Sequence, residues 1–278
     1  MLNKIISHPL PFLVLTLLIV VPFLTLNIVD TKKILGVKVQ ASPVATPTPT
    51  VAAFVTLSPK PTASPSPAPN LSKSTYNIVL YGDSMIDTMG DMKYISDALT
   101  KKYPKTKFDL YNYGIGGQNV KQGFERLNLN FSNQGRVYEA IGNIKPDVII
   151  LGTFAYNPFD PHSTDNYKNY LTPLITQIKT KGGQLYLLLE VAPLKENFGV
   201  GPHGINWPAD LAQKQSQHIE EQLLAAKSVA QNMGIPIIDV YTKTKGIPSY
   251  TNTDDGIHPS YDGQVFTANL IIQTVQFK

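Results

Sequence analysis

Asn77-Ile78-Val79-Leu80-Tyr81, followed at once by Gly82-Asp83-Ser84-Met85, joins an apolar run directly to a turn. A short apolar run that does not alternate, stopped by glycine, predicts a strand covered on both faces. Four similar runs follow at Lys107–Asn112, Asp147–Leu151, Gln184–Glu190 and Ile235–Val240. Between them the pattern predicts helices near Met89–Lys102, Val120–Ile141, Asp165–Thr180 and Pro208–Met233, with a last one at Asp262–Gln276. In Asp210–Asn232 the residues Leu211, Ile219, Leu223, Leu224 and Ala230 fall on one broad face. Lys181-Gly182-Gly183 and Met233-Gly234 supply helix stops just before strands.

Strands alternating with helices imply a parallel sheet with helices on both sides, a three-layer α/β/α sandwich. Five strands and right-handed crossovers favour the flavodoxin-like order 2-1-3-4-5. Sites in such sheets form in the loops at the carboxyl ends of the strands, so the residues just after each strand carry the functional question.

After the first strand, Gly82 allows a sharp turn and Ser84 falls where a helix begins. A hydroxyl there is exposed, and free backbone N–H groups nearby can face a developing oxyanion. Near the C-terminus, Asp255-Gly256-Ile257-His258-Pro259 places an Asp three residues before a His. Such an Asp can bend back onto Nδ1 and hold the tautomer of a base that activates a serine. Asp254 is a competing orienter. Each motif alone has an ordinary reading, Ser84 as a helix N-cap and Asp255 as a turn residue beside a surface His. Together they gain weight, because a doubly wound sheet opens both loops on one edge. Gly114-x-Gly116-Gly117 is no dinucleotide loop, since Asn119 replaces the required glycine and the motif follows the second strand rather than the first.

These blocks resemble those of the SGNH, or GDSL, hydrolase family. Gly82-Asp83-Ser84 matches the first block, with Met85 in place of the usual leucine, and Asp255-x-x-His258 matches the last. The second block is Asn112-Tyr113-Gly114-Ile115-Gly116-Gly117, and Gln122-Gly123-Phe124-Glu125-Arg126-Leu127 is similar to the helix after it. The resemblance covers Asn77 to the end of the chain. It implies a serine esterase or acylhydrolase with Ser84 as nucleophile, His258 as base, Asp255 as orienter and Gly117 beside Ser84 as oxyanion donor. The third block departs from the family's Gly-x-Asn-Asp: here Gly152-Thr153-Phe154-Ala155-Tyr156-Asn157 puts Phe154 at the asparagine position. Asn157, three residues on, is the expected substitute donor, with a plain turn residue before Pro158 as the alternative.

Ala192–Pro208 is a long loop at the same sheet edge, where long loops shape substrate sites or cover them. Trp207, the only tryptophan, and His203 are candidate ligand contacts, as is Asp83 beside the serine. No cofactor is implied, and no cluster has metal-ligand spacing, so no metal is expected. The expected substrate is an ester-bearing small molecule, lipid or glycan. The rival readings are a weak or inactive surface module that binds glycan, and an O-acyltransferase to envelope sugars.

The chain of 278 residues has 42% hydrophobic and 16% charged residues, enough apolar content for a core. Its formal charge of +4 lies in the first 70 residues, where Lys4, Lys32, Lys33, Lys38 and Lys60 face only Asp30. Residues 71–278 are electroneutral, which argues against a nucleic-acid partner. With no cysteine, disulfides, thiol nucleophiles and an acylated-cysteine anchor are excluded. Pro9–Val29 is an uncharged run of 21 residues, long enough to span a bilayer and longer than an ordinary signal-peptide core. Val39-Gln40-Ala41 is a candidate cleavage site. Residues 1–41 are therefore expected to be a signal peptide or a membrane anchor. Residues 42–72, rich in Pro, Thr and Ser, read as an extended spacer, and 73–278 as the catalytic domain. The domain is expected outside the cytoplasm, secreted or anchored, and as a monomer.

Overall fold

A computed structural model describes residues 70–278. The apolar run at 9–29, the cleavage site at 39–41 and all but the last residues of the spacer lie outside them. Among the described residues no helix is long and apolar enough to cross a membrane. Leu71 already packs against the core.

The elements run β1 Thr75–Gly82, α1 Ser84–Asp87, α2 Lys93–Lys102, β2 Lys107–Gly114, α3 Val120–Arg126, β3 Phe131–Asn133, β4 Arg136–Tyr138, α4 Ile141–Ile144, β5 Val148–Gly152, α5 Thr164–Lys179, β6 Gln184–Leu189, α6 Ala209–Asn232, β7 Ile237–Asp239, α7 Val240–Thr244 and α8 Tyr261–Thr274. β2, β1, β5, β6 and β7 form one parallel sheet in that order. Taken in chain sequence these five strands are ordered 2-1-3-4-5, as expected. α2 packs on α8, while α3, α5 and α6 pack side by side. β5, from Val148 to Gly152, is buried throughout, which explains why it shows no alternation.

Two helix expectations need correction. The helix expected over Met89–Lys102 starts only at Lys93, because Met92 adopts φ +57 and breaks it from the turn before. The long helix expected over Val120–Ile141 ends at Arg126. Asn128, Asn130, Ser132 and Asn133 compete for backbone hydrogen bonds. Gln134 and Gly135 both take positive φ, +49 and +76, as a two-residue hairpin turn demands. β3 and β4 pair antiparallel across that turn, with Phe131 stacked on Tyr138 at 4.6 Å.

Candidate active site

β1 delivers Gly82 to the carboxyl edge of the sheet, and α1 starts at once with Ser84. Asp83 caps this short helix by accepting the Met85 N–H at 3.0 Å. As the first helical residue, Ser84 has no intrahelical partner for its own N–H. The buried Arg126 ties the loop down from below. Its Nη2 donates to the carbonyls of Gly82 at 2.8 Å and Tyr113 at 2.9 Å, and its guanidinium lies 4.0 Å from the Tyr81 ring centre. Gly114 has no room for a side chain, since a Cβ there would lie 2.1 Å from the Asp87 nitrogen. The ends of β1 and β2 therefore meet α1 with almost no slack. Ser84 lines a cavity of about 540 Å³ together with Gly117, Tyr156, Asn157, Trp207 and His258.

His258 arrives from the loop before α8. Its Nδ1 lies 2.7 Å from Asp255 Oδ2, and Asp255 Oδ1 accepts from the N–H groups of Ile257 and His258 at 2.8 and 2.9 Å. Burial pushes the Asp255 carboxyl up. The His258 ring and the two N–H groups outweigh it and hold its pKa below the ordinary value. An ionised Asp255 makes Nδ1 the donor in a neutral His258 and leaves Nε2 as a lone-pair acceptor; this tautomer is assigned from the hydrogen bond. Nε2 is buried and meets no partner. Asp254 does not compete for His258: both its oxygens lie 2.9 Å from Nδ1 of the exposed His203. His203 does not line the cavity.

Gly116 and Gly117 follow β2. The Gly116 N–H is engaged by Asp87 Oδ2 at 3.2 Å, and Arg136 holds the other Asp87 oxygen at 2.7 Å. Gly117 has φ +75 and an exposed backbone, and among the described residues nothing accepts its N–H. Of the two glycines, only Gly117 therefore has a donor to spare.

After β5 the chain turns sharply. Phe154 takes φ +59 and enters the core, fully buried and edge-on to Tyr81 at 5.7 Å. The turn it opens closes with the Asn157 N–H on the Phe154 carbonyl at 3.4 Å. This brings Asn157 into the cavity, with Nδ2 3.0 Å from Asp83 Oδ2. An amide nitrogen carries two hydrogens, so one remains for a ligand.

Asp83, expected as a substrate contact, is corrected. It is fully buried, and its carboxylate is spent on Met85 and Asn157, so it supports the site from beneath. Burial pushes its pKa up to about 6 despite these donors. The sequence reading missed its neighbour Glu190, although a lone acid ending the apolar run Leu185–Leu189 was a visible signal. Glu190 is buried, with its two oxygens on the N–H and hydroxyl of Thr153. Burial and the Asp83 charge push its pKa to about 8.

The long loop after β6 is laced to the segment that carries Asp255 and His258. Gly199 N–H donates to the Gly256 carbonyl at 3.0 Å, and His203 N–H to the Asp254 carbonyl at 2.8 Å. The Asn206 amide accepts from Gly201 N–H and donates to the Gly201 and Gly204 carbonyls. Trp207 stacks on the buried Phe198 at 6.0 Å and stands in the cavity wall.

Residues 78–271 match the family described as GDSL-like Lipase/Acylhydrolase. No curated protein sequence matches the chain significantly. Among solved structures, the chain is similar to a lipase/acylhydrolase from Enterococcus faecalis at 21% identity and TM-score 0.52, covering 71% of this chain and 94% of that one. It is similar to a catalytic mutant of Axe2, an acetylxylan esterase from Geobacillus stearothermophilus, at 16% identity and TM-score 0.54, covering 73% and 95%. The acetyl xylan esterase AlAXEase matches at 16% identity and TM-score 0.53, covering 72% and 100%. At these identities the structural matches speak for the shared fold.

Proposed function

The chain belongs to the GDSL-like lipase/acylhydrolase family and is a hydrolase, and from that premise we propose that it cleaves acyl esters of carbohydrates outside the cytoplasm by a Ser84-His258-Asp255 mechanism. The observation that carries the mechanism is the state of His258. One ring nitrogen is held by Asp255, and the other is an unpartnered acceptor on a residue that lines the Ser84 cavity.

His258 Nε2 takes the Ser84 hydroxyl proton as Oγ attacks the ester carbonyl. The carbonyl π electrons move to oxygen. The oxyanion is held by the N–H groups of Ser84 and Gly117 and by the second Nδ2 hydrogen of Asn157. As the tetrahedral intermediate collapses, the C–O bond to the alcohol breaks and imidazolium gives its proton to the departing oxygen. Water then attacks the acyl-serine carbonyl, losing its proton to Nε2. The acid departs, and Ser84 regains its proton. Asp255 stays ionised throughout and stabilises the cation.

The carbohydrate part of the reading is supported by the acetylxylan esterases that share this fold and by Trp207 in the cavity wall. The placement outside the cytoplasm is supported by the uncharged run Pro9–Val29 and the proline-rich spacer after it. A C-terminal epitope tag cleaved by protease added to intact cells is the expected outcome, and protection until lysis would sink that placement. For the chemistry, p-nitrophenyl acetate turnover is expected to fall roughly 10⁴–10⁶-fold in Ser84→Ala. Turnover retained in that variant would remove Ser84 from the mechanism.

A further inference from the structure

A second groove, of about 620 Å³, opens beside the proposed reaction centre and shares Pro158, Trp207 and Gln215 with its cavity. Its other walls come from Phe159 and His162 in the segment after β5 and from Lys214 and His218 on α6. We propose that this groove is a glycan subsite, holding at least one sugar ring beyond the ring that carries the ester. The inference deepens the esterase reading and rests on it for the placement of the scissile bond.

Its chemistry selects the occupant. A pyranose ring has apolar C–H faces and a fringe of hydroxyls, so it is matched by flat aromatic surfaces among convergent polar groups. Trp207, braced by its stack on Phe198, stands where the two cavities join. The His162 and His218 rings stack at 4.0 Å with planes 9° apart. His162 Nε2 lies 2.8 Å from Glu221 Oε2, and Gln217 holds the other Glu221 oxygen at 2.9 Å. This pair is thus set before any ligand arrives, which lowers the ordering cost of binding. Burial, and then His162 beside it, pull the His218 pKa down. A neutral imidazole offers one donor and one acceptor, the match for a hydroxyl that also does both. A long acyl chain is a poor fit, because His162, Lys214, Gln215 and His218 interrupt the apolar lining and would lose water without gaining partners.

The test uses the full chain and compares kcat/KM for O-acetylated xylotetraose with that for O-acetylated xylose. Wild type is expected to favour the tetramer about tenfold, the equivalent of about 1.4 kcal/mol of added binding in the transition state. In Lys214→Ala and in His218→Ala the ratio is expected to approach one. The ratio is taken within each protein, so a general loss of activity cancels. Binding is measured separately, by calorimetric titration of Ser84→Ala with unacetylated tetramers of β-1,4-linked xylose and N-acetylglucosamine. At least one is expected to bind, and to bind about tenfold more weakly once His218→Ala is added. Equal kcat/KM for the two esters with neither tetramer bound overturns the subsite. So does a tetramer preference untouched by both groove variants. Tetramer binding that depends on His218, in a protein with no ester turnover, upholds the groove and sinks the esterase reading alone.

Discussion

At position 154 a phenylalanine stands where the family resemblance leads one to expect an asparagine, and the chain turns there. The left-handed Phe154 sends its ring onto Gly123 and Tyr81, and Asn157 takes up the post above Asp83. Asn157→Ala is therefore expected to lower kcat roughly 10²–10³-fold with KM nearly unchanged, as for loss of one oxyanion donor. An unchanged kcat would return Asn157 to the role of a turn residue. Glu190 offers a separate test, through pH. Its folded pKa of about 8 lies above the ordinary 4.5, so between these values the folded state holds a proton that the unfolded chain has released. Stability from this group is then complete below about pH 4.5, falls as pH rises through 8 and is flat beyond. Glu190→Gln, neutral at every pH, is expected to raise Tm more at pH 9 than at pH 5. An equal effect at the two pH values would mean that Glu190 carries its charge already at pH 5. Serine, His258 and Asp255 were legible in the sequence because they sit in short local motifs. Glu190 and Thr153 face each other only because the β5 and β6 ends are adjacent.

Among the elements, the loop over 197–207 works as a brace for the catalytic segment rather than as a simple cover. Its backbone approaches residues 253–256 so closely that a Cβ on Gly201 would lie 2.3 Å from the Asp254 carbonyl oxygen. That neighbour is backbone, and it adjoins Asp255, so relieving the strain of Gly201→Ala shifts the loop against the segment that carries Asp255 and His258. The expected outcome is a drop in aryl-ester kcat on the order of 10²-fold, with KM changed far less. Wild-type kinetics in that variant would show the brace to be dispensable. Single-element periodicity missed this lacing because it lies in loop-to-loop hydrogen bonds. The hairpin at Phe131–Tyr138 was hidden for another reason: three-residue strands are too short to show a period, and only Gln134-Gly135 marks the turn.

On the scale of the whole molecule, one continuous core runs from Ile78 on β1 to Val275 after α8, while the excess positive charge stays in the first 70 residues. A protein beginning at Asn70 is expected to unfold in one cooperative calorimetric transition and to keep the aryl-ester kcat/KM of the full chain. Two resolved transitions would mean that the core is not one cooperative unit, and loss of turnover that the first 69 residues contribute to the folded unit.

The five-stranded order and the motifs around Ser84 and Asp255–His258 were legible in the sequence itself, because strands buried on both faces are written as apolar runs and because an orienting acid and its imidazole fit within four residues, Asp255 to His258. The buried Asp83–Glu190 pair, the engagement of the Gly116 N–H by Asp87 and of Asp254 by His203, and the groove between Phe159 and His218 were decided only by the tertiary structure. Each depends on which backbone groups are already engaged, and on segments far apart in the chain meeting at one edge of the sheet, and neither leaves a periodic trace in the order of residues.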